Sequence, residues 1–152
     1  MRLLLLELLN EKTIKVYSEA KDWEDAGRIA GQPLLDSGKI EGKYIDAMIE
    51  SVKKYGPYIV IAPGIALFHA RPEEGVKSMC MSLAVFKKGI IFNAEKNDPV
   101  KLVFVLGAID NESHIRVLSE AMTLLQNQDA INSIMESDNE SEIINIIENS
   151  LS

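Results

Sequence analysis

Residues 101–106 read KLVFVL, and the five large apolar side chains after the lysine predict a central β-strand that is buried on both faces. Gly107 follows this run and ends the strand. A second apolar run, YIVIA at residues 58–62, lies between Pro57 and Pro63 and is too short for a stable helix. We therefore expect it to form another buried strand of the same sheet.

Two further segments alternate polar and apolar side chains, which is typical of strands. Residues 13–17 predict a short, half-buried strand, and residues 79–85 predict a longer one that turns at residues 87–89 into a partner at residues 90–92. Pro63 and Gly64 end the strand predicted at residues 58–62, and the segment that follows them is interpreted as a loop.

Helical spacing of apolar residues predicts the remaining elements. A first helix begins after the N-cap Asp22 and is interrupted at Pro33, and a second runs from about Glu41 to Gly56. The last third of the chain predicts three helices, the first with an apolar stripe of Ile115, Leu118, Met122 and Leu125, the second around residues 129–135 and the third at residues 143–151.

The alternation of helices with buried strands predicts an α/β fold, a three-layer domain with a central mixed β-sheet flanked by helices. At 152 residues and 47% hydrophobic residues, the chain has the size and apolar content of a single domain spanning residues 1–152. The apolar N-terminal run ends at Glu7 without a small-residue cleavage site, so it is interpreted as a first helix or strand.

Composition excludes several functional classes. The net charge of -7 argues against nucleic-acid binding, which needs a basic surface. No run of about 20 apolar residues is present, so we expect a soluble chain that meets a membrane only through a partner. The single cysteine, Cys80, lies in an apolar stretch and cannot form an internal disulfide, which is consistent with a cytoplasmic location.

The sequence has no phosphate-binding Gly-x-x-x-x-Gly-Lys-Ser/Thr loop, no Gly-x-Gly-x-x-Gly and no Gly-x-Ser-x-Gly elbow. Nucleotide, dinucleotide and serine-hydrolase chemistry therefore have no motif to support them, and we expect no cofactor. A nucleophile pair made of Cys80 and a histidine is also disfavoured, because the thiol would lie inside an apolar strand.

The chain has two histidines, His69 and His114, and both stand at boundaries of predicted elements. His69 ends an apolar approach and is followed by Arg71 and a proline. His114 comes after the turn at residues 110–113, and we expect it in the first turn of the next helix. Because both follow strands that should end at the same edge of one sheet, we expect the two imidazoles to lie side by side.

An imidazole is nearly neutral at cytoplasmic pH and can attack phosphorus through one nitrogen while the other is hydrogen-bonded. Phosphoryl transfer depends mainly on positioning and on stabilising the phosphoryl oxygens, for which Arg71 and a second imidazole are suitable. The residues alone leave another interpretation open, in which both histidines only hydrogen-bond to loop carbonyls. A zinc pair has less support, because neither histidine has ligands at zinc-site spacing.

Residues 56–72, GPYIVIAPGIALFHARP, resemble the active-site segment of the mannitol/fructose-type (type 2) enzyme IIA family of the bacterial sugar phosphotransferase system. The resemblance extends to residues 22–26 and 44–48, and to residues 106–108 with His114 beyond them. The early helix, the Gly-Pro-Tyr lead-in and the His-Ala-Arg-Pro-Glu continuation look most like the ascorbate-specific branch.

This resemblance implies a phosphotransferase component with a covalent phosphohistidine intermediate. His69 would receive a phosphoryl group from the phosphohistidine of HPr on its Nε2 and donate it to the cysteine of a cognate enzyme IIB, for L-ascorbate uptake through the membrane subunit IIC. His114 matches a second family histidine that assists, and Arg71 would contact the phosphate. The resemblance implies no metal or other cofactor.

One residue departs from the family pattern. The family usually has proline immediately before the active histidine, and this chain has Phe68. Because proline restricts the backbone, the sequence predicts that Phe68→Pro would pre-order a loop and leave phosphorylation equal or faster. The departure also leaves open a regulatory module whose partner binding depends on its phosphorylation state and which does not serve transport. The sequence alone determines neither the sugar nor the oligomeric state.

Overall fold

The computed structural model describes residues 3–151 of the chain. Within them one five-stranded sheet has the strand order β1-β4-β5-β3-β2. The strands β1 and β3 run parallel to their neighbours β4 and β5, whereas β4–β5 and β2–β3 are antiparallel, so the predicted mixed sheet is confirmed. The strands are β1 (Ile14–Tyr17), β2 (Val60–Ala62), β3 (Ile65–Phe68), β4 (Cys80–Ile90) and β5 (Val100–Gly107).

Helices cover both faces of this sheet, and each face has its own apolar core. The helices are α1 (Leu4–Leu8), α2 (Trp23–Asp36), α3 (Gly42–Tyr55), α4 (Asn111–Leu125), α5 (Gln128–Glu136) and α6 (Glu140–Leu151), with short 3-10 turns at Pro72–Glu74 and Glu95–Asn97. The core on one face includes residues of α2 and α3, and the core on the other includes residues of α1, α4, α5 and α6. The predicted three-layer α/β architecture is confirmed.

Strand β5 is the centre of the sheet, as its sequence predicts. Its side chains alternate between the two cores, with Val103 and Val105 on the side of α2 and α3, and Leu102, Phe104 and Leu106 on the other side. Because β5 is buried on both faces, the side chains on both faces are apolar. The alternation of its side chains between the two cores is therefore not visible in the sequence.

The second predicted buried strand is wrong in position. The run at residues 58–62 contributes only the short edge strand β2, in which the Ile61 side chain is 44% exposed. The fully buried strand is β3, which lies in the segment interpreted as a loop. Gly64 adopts a φ of 79°, a left-handed conformation that glycine accepts without strain, and it turns β3 back alongside β2.

Phe68 is the last residue of β3 and is completely buried. Its ring centroid lies 6.0 Å from that of Phe92, and its tip faces Gly27 of α2. Phe68 is therefore a core residue at the end of a strand. It is not part of a loop whose backbone a proline would restrict. The prediction that Phe68→Pro would leave phosphorylation equal or faster is wrong in its premise, since the substitution would remove a buried ring from the core.

Two further boundaries differ from the sequence prediction. Strand β4 runs on to Ile90 with a shift of register after Val85, and it does not fold into the predicted hairpin at residues 87–89. Helix α2 does not stop at Pro33 but continues to Asp36. Proline near the end of a helix removes one hydrogen bond of the last turns, and the continuation places Leu34 in the core.

Helix α4 packs only half of the predicted stripe against the core, since Leu118 and Leu125 are partly buried there. Val117, Ala121 and Leu124 face the core, whereas Ile115 is 65% exposed and Met122 is 48% exposed. The predicted helices α5 and α6 are confirmed, with Ile134 of α5 and Ile143 and Ile147 of α6 buried.

The predicted N-terminal element is a helix, α1. Met1 and Arg2, which the prediction also included, lie outside the described residues. Within residues 3–151, no helix is both long enough and apolar enough to cross a membrane.

Candidate active site

Strands β3 and β5 bring the two histidines to one edge of the sheet. The strands are parallel neighbours, and their last paired residues are Phe68 and Val105. His69 follows β3 directly, and the chain after β5 turns into α4, which carries His114. The ring centroids of the two histidines lie 6.0 Å apart with an interplanar angle of 56°. Their predicted proximity is confirmed.

The backbone next to His69 decides which ring nitrogen is free. Nδ1 of His69 lies 3.3 Å from the carbonyl oxygen of Leu67. A carbonyl oxygen only accepts hydrogen bonds, so Nδ1 carries the proton in this arrangement and donates it. Nε2 then has the lone pair, and no side chain or backbone group among residues 3–151 forms a hydrogen bond with it. A neutral imidazole of this tautomer is a nucleophile at Nε2.

His114 lies in the first turn of α4, as predicted. The carboxylate of Asp110 caps this helix by accepting a 2.7 Å hydrogen bond from the backbone N–H of Ser113, and that bond lowers the pKa of Asp110. Burial, together with the nearby His69, lowers the pKa of His114 below its ordinary value. Both effects favour the neutral form of the His114 imidazole.

The histidines line an open cleft of about 660 Å³. Arg71 and Lys54 bring positive charge to its walls, and Glu50, Glu74 and Asp110 bring negative charge. The Arg71 side chain is exposed and forms no ion pair with any of the residues 3–151. The structure thus brings all three sequence-predicted site residues into one cleft.

Two tyrosines that the sequence analysis did not single out extend the site outward. The ring of Tyr58 stands edge-on to His69 with the centroids 6.4 Å apart, and Tyr55 stands edge-on to Tyr58 at 6.5 Å. Both rings are largely exposed, and the ammonium group of Lys54 lies 5.2 Å from the Tyr55 ring centre. The sequence analysis placed Tyr58 in a buried strand. Its position after Gly56 and Pro57, at an element boundary, was the signal for an exposed aromatic residue.

Cys80 is not part of this site. Its side chain is buried at the start of β4, and burial raises the pKa of its thiol to about 11. A protonated, enclosed thiol is a poor nucleophile. This agrees with the sequence interpretation of Cys80 as a small core residue.

The chain matches one known protein family over nearly its whole length. Residues 7–150 match the model of the family described as "Phosphoenolpyruvate-dependent sugar phosphotransferase system, EIIA 2". The ascorbate-specific PTS system EIIA component of Escherichia coli (strain K12) is 34% identical over 142 residues, which cover 93% of this chain and 92% of that protein. The protein of the same name from Salmonella typhimurium is 40% identical over 110 residues, covering 72% of this chain and 71% of that protein.

Solved structures have the same fold. The solution structure of the mannitol-specific cryptic phosphotransferase enzyme IIA from Escherichia coli superimposes with a TM-score of 0.87 at 34% identity. The match covers 95% of this chain and 98% of that chain. The similarity therefore includes the whole sheet and the helices on both of its faces.

Proposed function

The chain belongs to the phosphoenolpyruvate-dependent sugar phosphotransferase system EIIA 2 family, and from this premise we propose that His69 carries a phosphoryl group between two partner proteins. The donor is the phosphohistidine of HPr, and the acceptor is the cysteine of a cognate enzyme IIB. Residues 1–152 act in the cytoplasm as one EIIA type-2 domain, and the membrane subunit IIC is reached only indirectly.

One observation supports this proposal above the others: Nδ1 of His69, a residue that lines the cleft, lies 3.3 Å from the Leu67 carbonyl oxygen, which leaves the lone pair on Nε2. Attack by Nε2 forms a phosphorus–nitrogen bond while the bond to the HPr nitrogen breaks and its electron pair returns to that nitrogen. The positive charge that develops on the His69 ring is stabilised by the Nδ1–H hydrogen bond to Leu67. In the onward step a thiolate attacks phosphorus, and the electron pair returns to Nε2.

The surroundings of Nε2 suit a transferring phosphoryl group. The His114 ring lies 6.0 Å from the His69 ring, centroid to centroid, and its neutral form, which burial favours, can donate an N–H to a phosphoryl oxygen. The N-terminus of α4, beside it, adds the positive end of the helix dipole, while the Asp110 side chain accepts the hydrogen bond of the Ser113 N–H. Arg71, on the rim of the same cleft, is the candidate for a charged contact with the phosphate.

For the transported sugar we propose L-ascorbate. The support is the ascorbate-specific name of curated relatives that are 34% identical over 93% of this chain and 40% identical over 72% of it; the mannitol-specific structure is also 34% identical, over 95% of the chain. The sugar does not enter the cleft, because specificity resides in the membrane subunit. We therefore expect the IIB of an ascorbate system to accept the phosphoryl group faster than the IIB of a mannitol system.

The test is to incubate the purified protein with phosphoenolpyruvate, enzyme I and HPr and to follow its intact mass, then to add IIB. We expect the starting protein to gain one phosphoryl group and His69→Ala to gain none. His114→Ala should accept the group but pass it to IIB at least about tenfold more slowly, equivalent to about 1.4 kcal/mol of lost transition-state stabilisation.

A His69→Ala protein that is still phosphorylated on histidine would refute the assignment of the carrier residue. Phosphorylation without transfer to either IIB would favour the regulatory module over the transport component. No observation in the structure favours that alternative, since Phe68, the residue that suggested it, is an ordinary core residue.

A further inference from the structure

Tyr44 of α3 brings a buried hydroxyl group to the edge of the sheet where the histidines lie. The side chain is completely buried. Its Oη lies 2.6 Å from the carbonyl oxygen of Leu106 and 3.0 Å from the backbone nitrogen of Ala70. A phenol has one proton to donate, so it donates to Leu106 and accepts from Ala70. The Ala70 carbonyl, at 3.3 Å, is a second and weaker acceptor.

These two bonds connect the chain segments that carry the histidines. Backbone pairing of β3 with β5 ends at Phe68 and Val105. Ala70 is the residue after His69, and Leu106 is the residue after Val105. The Tyr44 hydroxyl thus links the two segments just beyond the point where the strands stop pairing.

We infer that Tyr44 is a positioning residue for the phosphoryl transfer proposed above, on which this inference rests. Its hydroxyl holds the His69 segment against the end of β5 and so sets the separation of His69 from His114. It does not touch the phosphoryl group, and it acts through the backbone of Ala70.

Two features fit this role. Burial raises the pKa of Tyr44 to about 12, so the hydroxyl keeps its proton, and the link does not change with pH in the physiological range. The backbone at the start of α3 also packs closely against Gly75. A Cβ on Gly75 would lie 3.1 Å from Cβ of Tyr44, and the Gly75 carbonyl accepts a 2.8 Å hydrogen bond from the backbone N–H of Glu41, the N-cap residue of α3.

The test compares Tyr44→Phe with Val52→Ala. Tyr44→Phe keeps the buried ring and removes only the hydroxyl link. Val52→Ala removes buried volume from the same helix without touching that link, and it controls for a general loss of stability. For each folded variant, two quantities are measured: the rate of phosphorylation by phospho-HPr, and the NMR titration of His114 with the contacts between the two imidazoles.

We expect Tyr44→Phe to be phosphorylated at least about tenfold more slowly than the starting protein, because small misplacements of a reacting group have large kinetic costs. Contacts between the imidazoles should weaken, and the pKa of His114 should rise toward its ordinary value as its burial and its proximity to His69 decrease. Val52→Ala should keep the rate and both NMR signatures.

Unchanged histidine signals and an unchanged rate in Tyr44→Phe would overturn the inference, and so would an equal loss of rate in Val52→Ala. A starting protein that accepts no phosphoryl group would instead overturn the proposed function. The NMR measurements separate the two failures, since they report whether Tyr44 sets the imidazole geometry without any phosphorylation.

Discussion

His69 has two ring nitrogens in different environments, and its proposed chemistry depends on that difference. The Leu67 carbonyl is fixed by β3, which pairs with β5 up to Phe68, so the orientation of the ring follows from the sheet itself. A side chain held in this way needs little rearrangement before it attacks phosphorus. The same rigidity keeps Nδ1 from competing with Nε2 as the acceptor.

The first prediction concerns the titration of His114. An NMR pH titration should give a pKa for His114 below its ordinary value of 6.5, since burial and the nearby His69 both disfavour the charged ring. In His69→Gln the effect of the neighbouring imidazole is lost but burial persists, so the pKa should rise only part of the way.

The sign of the accompanying stability effect follows from linkage. With a lowered pKa in the folded state, His114 binds its proton more readily in the unfolded chain. Its contribution to the free energy of unfolding is present above the ordinary pKa and is lost as the pH falls. An ordinary pKa in the starting protein, or one that does not move in His69→Gln, would contradict this description of the site.

At the scale of elements, the contact between α2 and β3 explains a glycine within a helix. A Cβ on Gly27 would lie 2.8 Å from Cζ of Phe68 and 3.1 Å from Cδ1 of Ile49. Glycine inside a helix is less favourable than alanine by about 1 kcal/mol, so Gly27 lowers the intrinsic stability of α2. In return, α2 packs closely over the phenylalanine ring that ends β3. Phe68 thereby secures the strand that presents His69.

Gly27→Ala should therefore destabilise the protein by about 1–3 kcal/mol despite its better helix propensity, because the added methyl group overpacks the core. Urea denaturation measures the change. Gly42→Ala is the matched control: Gly42 begins α3, and a Cβ there would meet no atom within 4 Å, so its stability should change by less than about 0.5 kcal/mol.

Phe68→Leu should relieve the clash, so the double variant Gly27→Ala with Phe68→Leu should lose less stability than the sum of the two single variants. Strict additivity would show that Gly27 and Phe68 do not interact.

Helix α4 exposes an isoleucine beside the second histidine. Ile115 follows His114 directly and is 65% exposed. An apolar side chain next to the proposed phosphoryl-transfer site is suited to contact a docked protein partner. Ile115→Ser should raise the KM for phospho-HPr severalfold while changing the stability by less than about 0.5 kcal/mol.

Met122→Ser is the control for this prediction, since Met122 is also exposed on α4 but lies seven residues further along the helix, away from the cleft. The two variants are compared by steady-state kinetics with phospho-HPr as the variable substrate. Equal KM values for the two variants would show that Ile115 does not contact phospho-HPr.

At the scale of the whole molecule, local patterns predicted most elements because most are specified locally. The apolar run of β5, the Asp22 cap of α2 and the Gly56 stop of α3 all depend on residues within a few positions of one another. The proximity of the histidines was predicted from one additional rule, that parallel neighbouring strands end at the same edge of a sheet. The prediction is correct but was made with the wrong strand, since residues 58–62 form β2, which runs opposite to β5, and the strand that ends beside β5 is β3.

The errors lie where distant residues decide the structure. Strand β3 could not be distinguished from a loop, because its burial depends on pairing with β5 and on the space opened by Gly27. The exposed residues Ile115 and Met122 of α4 could not be distinguished from the buried residues of the same helix, because both sets have helical spacing. The hydrogen bonds of the Tyr44 hydroxyl could not be predicted, because its partners lie 26 and 62 positions away in the sequence.

The central claim is that Nε2 of His69 is the phosphoryl acceptor because the Leu67 carbonyl holds Nδ1–H. Long-range ¹H–¹⁵N NMR spectra of the ¹⁵N-histidine-labelled protein, recorded before and after phosphorylation by phospho-HPr, distinguish the two nitrogens directly. The account predicts an Nδ1–H tautomer for His69 in the free protein and a phosphorus–nitrogen coupling at Nε2 in the phosphoprotein. A proton on Nε2 in the free protein, or phosphorylation at Nδ1, would contradict it.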